Sequence, residues 1–211
     1  MDVLWGDVSP SGKLPYTVAK QESDYGDVLN SSVSLDKFPQ DDFTEGLFID
    51  YRAFDRDEIE PRFEFGYGLT YTTFEYGDLD AKVAEGANTV PLPDPEVAVI
   101  SGGHPALWET IATVTFTLSN TGGVTASEVA QLYLGIPSSE GFDTPARQLR
   151  GFQRTPVRPG ETRTVILSLT RRDLSVWDTV AQQWRLQPGT YQIDVGASSR
   201  DLRLQGSLDI L

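Results

Sequence analysis

The side chains with the most chemical potential lie together in the stretch 45–74, which mixes aromatic, acidic and basic residues. Asp50, Tyr51 and Arg52 are consecutive, and a guanidinium beside a carboxylate can form a bidentate ion pair that fixes how two segments are oriented. Gly66 and Gly68 bracket Tyr67, and glycine lets a backbone turn sharply or approach another surface closely. The stretch therefore predicts a buried junction rather than a solvated linker.

Aromatic rings recur through the same stretch at a density typical of a packed interior between two parts of a protein. We call these residues the hinge, and expect its members to dock one part of the chain on another. The hinge set is Asp50, Tyr51, Arg52, Phe54, Phe63, Phe65, Gly66, Tyr67 and Gly68.

Composition excludes several kinds of chemistry. The 211 residues contain no cysteine and a single histidine, His104, so we expect no metal site and no cofactor. Seventeen basic residues against 31 acidic ones give a net charge of −14, which argues against nucleic acid and anionic membranes as partners. No apolar run approaches the ~20 residues of a membrane span.

The remaining segments divide the chain into unlike parts. Residues 1–20 carry a Ser-Pro-Ser-Gly turn, and residues 21–43 are polar and predict a loop. Asn30 begins an Asn-Ser-Ser sequon, which makes it a candidate glycosylation site if the chain is secreted. We expect three units, 1–20, a connector and hinge at 21–71, and 72–211.

The last unit alternates apolar and polar residues with turn signals at the spacing of an all-β sandwich of about seven strands. Strand 128–136 is apolar on both faces, which predicts a central position. The predicted strands are 74–80, 97–101, 110–119, 128–136, 148–154, 161–170, 184–186, 190–197 and 201–210.

Several motifs in this order resemble the C-terminal region of fungal family 3 β-glucosidases, including its fibronectin type III-like domain. The resemblance covers nearly the whole chain. The stretches that carry it are Gly-Asp-Val-Ser-Pro-Ser-Gly-Lys-Leu-Pro at 6–15, and the segments 22–26, 45–55, 61–74, 149–154, 158–162, 171–178 and 188–201.

The resemblance implies an immunoglobulin- or fibronectin-like β-sandwich, preceded by an irregular connector from the end of an α/β sandwich domain. In that family the nucleophile lies in a barrel domain and the acid/base in the α/β domain, both upstream of Gly6. It follows that this chain should carry no catalytic residue. The parent enzyme would release terminal β-D-glucose, for example from cellobiose, with retention, and would be secreted.

Three carboxylates lie in short motifs that resemble the family's catalytic segments. Asp24 follows a serine as the family's nucleophile does, but the expected tryptophan is replaced by Tyr25. Glu45 and Glu140 each precede a glycine, as in the family's acid/base segments, yet one belongs to the hinge and the other to a sandwich loop. We interpret all three as structural, and His104 as a surface residue.

Two alternatives stay open. The hinge aromatics or an exposed tryptophan could stack on sugar rings, so the chain could be a carbohydrate-binding or substrate-docking module. Apolar residues near the start, Leu4, Trp5 and Val8, could instead drive self-association, because large exposed apolar patches mark interaction surfaces. The leading expectation is a non-catalytic portion that stabilises or orients upstream catalytic domains, its main partners.

Overall fold

The structure, a computed structural model, describes residues 1–29, 43–138 and 142–210. Two short α-helices precede the strands, α1 at Asp2–Trp5 and α2 at Tyr51–Arg56, and 3-10 helices form at Glu22–Leu29 and Pro105–Trp108. The strands are β1 Phe74–Val83, β2 Thr110–Asn120, β3 Ala126–Gly135, β4 Gln148–Val157, β5 Thr162–Thr170, β6 Ser175–Asp178, β7 Gln183–Leu186, β8 Gly189–Gly196 and β9 Leu202–Ile210.

The strands form a two-layer sandwich with a small accessory hairpin. One sheet has the order β1-β2-β5 and the other β4-β3-β8-β9, while β6 pairs only with β7. All the pairings are antiparallel. The all-β sandwich predicted from the alternating pattern is therefore confirmed, with β3 inside its sheet as its two apolar faces required.

Alternation along each strand places one set of side chains between the two sheets. Phe116 and Leu118 from β2 face Leu132 and Leu134 from β3, and all four are fully buried. The opposite face of β3 carries Gln131, Tyr133 and neighbouring residues that are also buried. Something other than the second sheet must therefore cover that outer face.

Two expectations about regular structure are corrected. Residues 97–101 are not a strand, because they lie between Pro95 and the pair Gly102-Gly103 and make only the isolated bridge Ile100–Gly103. Strand β6 was missed, since four residues give too short a pattern. Part of the predicted loop 21–43 is the 3-10 helix Glu22–Leu29, which is interrupted at Gly26 (φ 64°).

Some expectations concern residues that the structure does not describe, or domain boundaries that it does not test. Asn30 and Glu140 lie outside the described residues. The boundaries predicted at 20/21 and 71/72 stay predictions, with regular strand structure beginning at Phe74. Within the described ranges, no helix has the length and apolar character to cross a membrane.

Candidate functional site

The outer face of β3 is covered by the chain's own N-terminal segment, which we define as residues 1–29 and 43–73. Gln131 Nε2 donates hydrogen bonds to the Gly66 carbonyl at 3.0 Å and to the Ala197 carbonyl at 2.8 Å. Tyr133 Oη donates to Gln131 Oε1 at 2.5 Å. We call this contact between the N-terminal segment and the four-stranded sheet the junction.

Gly66 lies where the backbone comes closest to the sheet. Its φ is 78°, in the left-handed region, and a Cβ at this position would collide with Gln131 Oε1. Gly68 makes a different close approach, since its Cβ would meet the Gly12 carbonyl oxygen at 2.5 Å. One glycine serves the junction and the other serves packing inside the N-terminal segment.

Tyr51 is the aromatic centre of the junction. Its ring lies 4.7 Å from Phe65 and 6.0 Å from Tyr133, between centroids, and its Oη accepts a hydrogen bond from Leu149 N at 2.8 Å. Burial raises the pKa of the Tyr51 hydroxyl above its usual range. Tyr51 thus works as a neutral, fixed hydrogen-bonding group that joins α2 to β4.

Asp50 ties the hinge to the start of the N-terminal segment. Its carboxylate accepts from Thr17 N at 2.8 Å and from Thr17 Oγ1 at 2.9 Å, and its own φ of 55° is unusual for a residue with a side chain. The next position, Val18, forms a bridge with Phe63. Asp50 therefore orders the N-terminal segment rather than pairing with an arginine.

The ion pair predicted for Arg52 is formed instead around Asp55. Asp55 Oδ1 lies 2.9 Å from Arg200 Nε, and its Oδ2 lies 3.8 Å from Arg147 Nε. Arg52 Nε donates to the Ile49 carbonyl at 3.3 Å, and no carboxylate in the described ranges lies within salt-bridge distance of it. Asp55 rather than Arg52 forms the ion pair because of its position on the helix. Asp55 lies one turn beyond Tyr51, so both side chains face the sandwich.

The Asp55 cluster is partly desolvated. Burial raises the pKa of the Asp55 carboxyl, and the two arginines oppose that rise. Arg200 also donates to the carbonyls of Phe54 at 3.3 Å and Ile59 at 3.1 Å, so one side chain holds both the end of α2 and the residues that follow it.

A second line of polar contacts runs along the edge of the junction. Lys13 Nζ lies 2.8 Å from Glu128 Oε1 and donates to the Ala197 carbonyl at 3.0 Å. Ser198 Oγ donates to Glu64 at 2.7 Å, and the neighbouring Ser199 amide donates to the Phe65 carbonyl at 2.9 Å. Residues 13 and 64–66 are therefore fastened to β3 and to the turn after β8.

Sequence reasoning missed Lys13, Asp55, Gln131 and Arg200. Gln131 had a usable signal, since it is a polar residue between Ala130 and Leu132 in a strand that is otherwise apolar on both faces. The other three are ordinary surface residue types, and only the fold brings them together.

The remaining hinge aromatics divide into covered and uncovered rings. Phe54 is 2% exposed and packs edge-on against Tyr25 at 5.9 Å, whereas Phe63 is 41% exposed and pairs with Tyr67 at 5.1 Å. The Tyr67 carbonyl accepts from Leu14 N at 2.8 Å. All three rings thus make their aromatic contacts inside the N-terminal segment, and Phe54 joins the junction through its carbonyl, which accepts from Arg200.

Large apolar side chains are exposed at one end of the N-terminal segment, in two adjacent stretches. Tyr71 Oη donates to the Val3 carbonyl at 2.7 Å and Tyr71 N donates to Ser9 Oγ at 3.0 Å, which holds residues 3–9 against residues 69–71. The exposed fractions here are 83% for Leu4 and 78% for Trp5. We call this group the apolar patch, and its members are Leu4, Trp5, Val8, Leu69 and Tyr71.

The carboxylates considered for catalysis have structural partners. Asp24 accepts from the Gln21 backbone and side chain, and Glu45 lies in a turn closed by the Phe48 amide. In a cleft of about 240 Å³ beside the junction, Glu128 is paired with Lys13 and Asp201 with Arg203.

His104 caps the 3-10 helix that follows it, accepting from Ala106 N at 3.1 Å. Across residues 1–29, 43–138 and 142–210, no group of three or more histidine or carboxylate side chains could hold a metal ion. These histidine and carboxylate side chains cap turns and form ion pairs.

Comparison with known families covers both halves of this architecture. The family model described as the glycosyl hydrolase family 3 C-terminal domain matches residues 1–71, and the fibronectin type III-like domain matches residues 128–199. The chain carries a segment of the glycosyl hydrolase family 3 C-terminal domain followed by a fibronectin type III-like domain. Its junction therefore joins the end of the family 3 C-terminal domain to the fibronectin-like domain.

Relatives and solved structures agree with these two domain matches. The chain is 53% identical over its whole length to probable beta-glucosidase M of Aspergillus niger, and 50% identical to beta-glucosidase cel3A of Pyricularia oryzae. It covers 27% and 28% of those two proteins. The chain therefore spans about a quarter of the length of these relatives and corresponds to their C-terminal part.

Among solved structures, the beta-D-glucoside glucohydrolase of Trichoderma reesei matches the whole chain at 47% identity with a TM-score of 0.88. Beta-glucosidase 3B of Thermotoga neapolitana, in complex with glucose, matches 99% of the chain at 34% identity with a TM-score of 0.80. The chain covers 28% and 26% of those two structures.

Proposed function

We propose that this chain stabilises and orients the catalytic domains of a longer, secreted β-glucosidase that removes terminal β-D-glucosyl residues with retention. The observation that carries the proposal is the junction, which fixes the family 3 segment on the fibronectin-like sandwich through Tyr51, Asp55 and Gln131. A segment fixed in this way transmits the position of the sandwich to whatever it contacts next.

The apolar patch supports the same proposal. Leu4 and Trp5 are about four-fifths exposed, and large contiguous apolar surfaces mark contacts with other domains or proteins. The Asp55 cluster and the Lys13–Glu128 pair hold other parts of the segment against the sandwich, whereas the patch contacts neither sheet through an ion pair in the described ranges. The partner that we propose for it is the catalytic region of the same polypeptide.

The chain alone should not hydrolyse glucosides. Retaining hydrolysis needs two carboxyl groups about 5 to 5.5 Å apart beside the sugar. In the described ranges, the two carboxylates of the cleft beside the junction are each ion-paired, and Asp55 faces arginines. We expect no turnover of an aryl β-glucoside by the purified 211-residue chain, and turnover that is abolished by one acidic-residue substitution would overturn the proposal.

A chimera tests the orienting role directly. The corresponding C-terminal part of Aspergillus niger beta-glucosidase M is replaced by this chain, and activity on cellobiose and Tm are measured. We expect an active, cooperatively melting enzyme. Leu4→Ser with Trp5→Ser should lower both Tm and activity, because the apolar contact with the upstream domain is lost.

Trp108→Ser is the matched control, because Trp108 is 57% exposed but lies in the 3-10 helix before β2, away from the apolar patch. The proposal fails if the chimera is stable and fully active with both patch substitutions, or if Trp108→Ser has an equal effect.

The two alternatives can be separated from this role. A flat polysaccharide-binding surface needs coplanar rings, but Trp177 and Trp184, the two tryptophans in contact, are inclined at 67°. Self-association through the apolar patch predicts a dimer in light scattering that Trp5→Ser converts to monomer. A monomer at all concentrations would exclude it and leave the patch for upstream domains.

A further inference from the structure

A second cleft, of about 440 Å³, borders the junction, between α2, the start of β4 and the β6–β7 hairpin. This volume is within the range of small-molecule sites. Its wall carries three arginines, one carboxylate and two tryptophans, namely Arg52, Arg150, Arg172, Asp143, Trp177 and Trp184, so positive charges outnumber negative ones.

Among the described residues, the three arginines of the cleft have no ion-pair partner. No carboxylate in the described ranges lies within salt-bridge distance of any of them. Asp173, whose charge attracts Arg150 and Arg172, accepts hydrogen bonds from Thr170 N and Oγ1 at 2.8 and 2.7 Å.

Arg150 carries the clearest sign of an unmet partner. Its Nη2 donates to Gln148 Oε1 at 2.9 Å, but its Nε is buried and has no hydrogen-bond partner. Burial lowers the pKa of Arg150, and the positive charges of Arg172 and Arg52 lower it further. A buried donor without a partner is costly, and an anion beside the guanidinium would offset the repulsion from the two like charges.

The aromatic side of the cleft is also arranged for a ligand. Trp177 is 42% exposed and meets the Trp184 ring edge-on at 5.5 Å, while the Arg172 guanidinium lies 3.3 Å from the Trp184 centroid. Arg172 is thereby held in place by a cation–π contact without losing its hydrogen-bond donors. Trp177 leaves an apolar surface beside the charged donors.

These features select a particular kind of anion. Guanidinium groups match the two oxygens of a carboxylate, and an indole surface accepts an apolar or ring-shaped body. A polyanion would be repelled by a protein with a net charge of −14, whereas a single carboxylate on a neutral body is repelled least. We propose that this cleft binds an acidic sugar, one carboxylate on a pyranose ring, as in a hexuronic acid. This site does not depend on the proposed orienting role.

Calorimetric titration of the 211-residue chain with three probes tests the proposal. D-glucuronate has the ring and the carboxylate, D-glucose has only the ring, and acetate has only the carboxylate. We expect glucuronate to bind at least ten-fold more tightly than either of the others, with an affinity that falls as salt rises. Equal binding of glucose or acetate, tighter binding of a tetra-aspartate peptide, or no heat with glucuronate at tens of millimolar would each overturn it.

Substitutions connect binding to the cleft. Arg150→Gln should weaken glucuronate about ten-fold or more, because one charged hydrogen-bonding group is lost. Its Tm should not fall, since the repulsion from Arg52 and Arg172 is relieved. Arg163→Gln removes the same charge on the exposed β5 strand and should leave binding unchanged.

If Arg150→Gln fails to fold, Arg52→Gln serves in its place. Unchanged affinity in the folded variant, or an equal loss in Arg163→Gln, would overturn the assignment.

Discussion

The sandwich interior and the junction are both buried, but they are stabilised by different forces. Between the sheets, Phe116, Leu132 and Ile193 are fully buried members of one apolar core cluster. At the junction, Gln131 and Tyr133 are also buried, yet their contacts are hydrogen bonds with defined directions. Apolar burial stabilises the fold with little regard to orientation, whereas the hydrogen bonds fix one placement of the N-terminal segment.

The largest effect should come from opening a cavity in the interior. Phe116→Ala removes a fully buried ring from β2 and should lower the free energy of unfolding by ~3–5 kcal/mol, measured by urea denaturation. Phe152→Ala, on a side chain that is 66% exposed on β4, should cost less than ~1 kcal/mol. Similar losses of unfolding free energy in Phe116→Ala and Phe152→Ala would mean that burial between the sheets does not set the cost.

Forcing the N-terminal segment off the sheet should come next. Gly66→Ala imposes a left-handed alanine and displaces Gln131, leaving carbonyl groups unpaired, at a combined cost of ~3 kcal/mol in urea denaturation. Gly86→Ala has a similar φ of 73° but no atom within 4 Å of its Cβ, so it should show only the backbone part. Equal losses in the two variants would remove the evidence for tight packing against β3.

A smaller effect is expected at the ion cluster. Asp55→Asn removes the 2.9 Å ion pair with Arg200. Because the Arg200 side chain is 31% exposed and solvent partly screens the pair, the free energy of unfolding should fall by only ~1–2 kcal/mol. Glu60→Gln touches the same arginine at 3.6 Å, but Glu60 is 72% exposed, and its change should be within ~0.5 kcal/mol in the same assay. A larger stability loss from Glu60→Gln than from Asp55→Asn would mean that the exposed pair, not the buried one, holds Arg200 in place.

The smallest effect concerns the accessory hairpin and depends on pH. Asp178 accepts from the amides of Ala181 and Val180 at 2.9 Å each and from Arg185 Nε at 2.8 Å, and these contacts lower its pKa below 3.8. A lowered carboxylate pKa stabilises the fold above the unfolded value, and the contribution is lost as pH falls through the folded value.

Near-ultraviolet circular dichroism of the hairpin tryptophans should therefore stay constant to about pH 4, the unfolded carboxylate value, and change progressively below it as pH falls through the lowered folded pKa of Asp178. Asp178→Asn should abolish that acid transition, while Asp209→Asn on exposed β9 should not. A transition that persists in Asp178→Asn would assign it to another group.

Sequence patterns predicted the interior better than the junction. The alternation of Val114, Phe116 and Leu118 is a local signal of period two, and it located β2 and the core. The junction joins Tyr51 to Leu149 and Asp55 to Arg200, partners that share no local pattern. The aromatic density of the hinge predicted that it is buried. Which residue of α2 forms the ion pair, Asp55 rather than Arg52, depends on the helical phase of a helix of only six residues, and the sequence did not predict it.

The contacts of Lys13 with Ala197 and of Phe65 with Ser199 join positions 184 and 134 residues apart. Closing such long loops early in folding is unfavourable, and the surface that receives them exists only after β3, β4 and β8 have paired. The N-terminal segment should therefore dock on the sheet last and detach from it first. Hydrogen exchange should show it, with the amides of Leu149 and Ser199 exchanging sooner than that of Phe116 in the centre of β2.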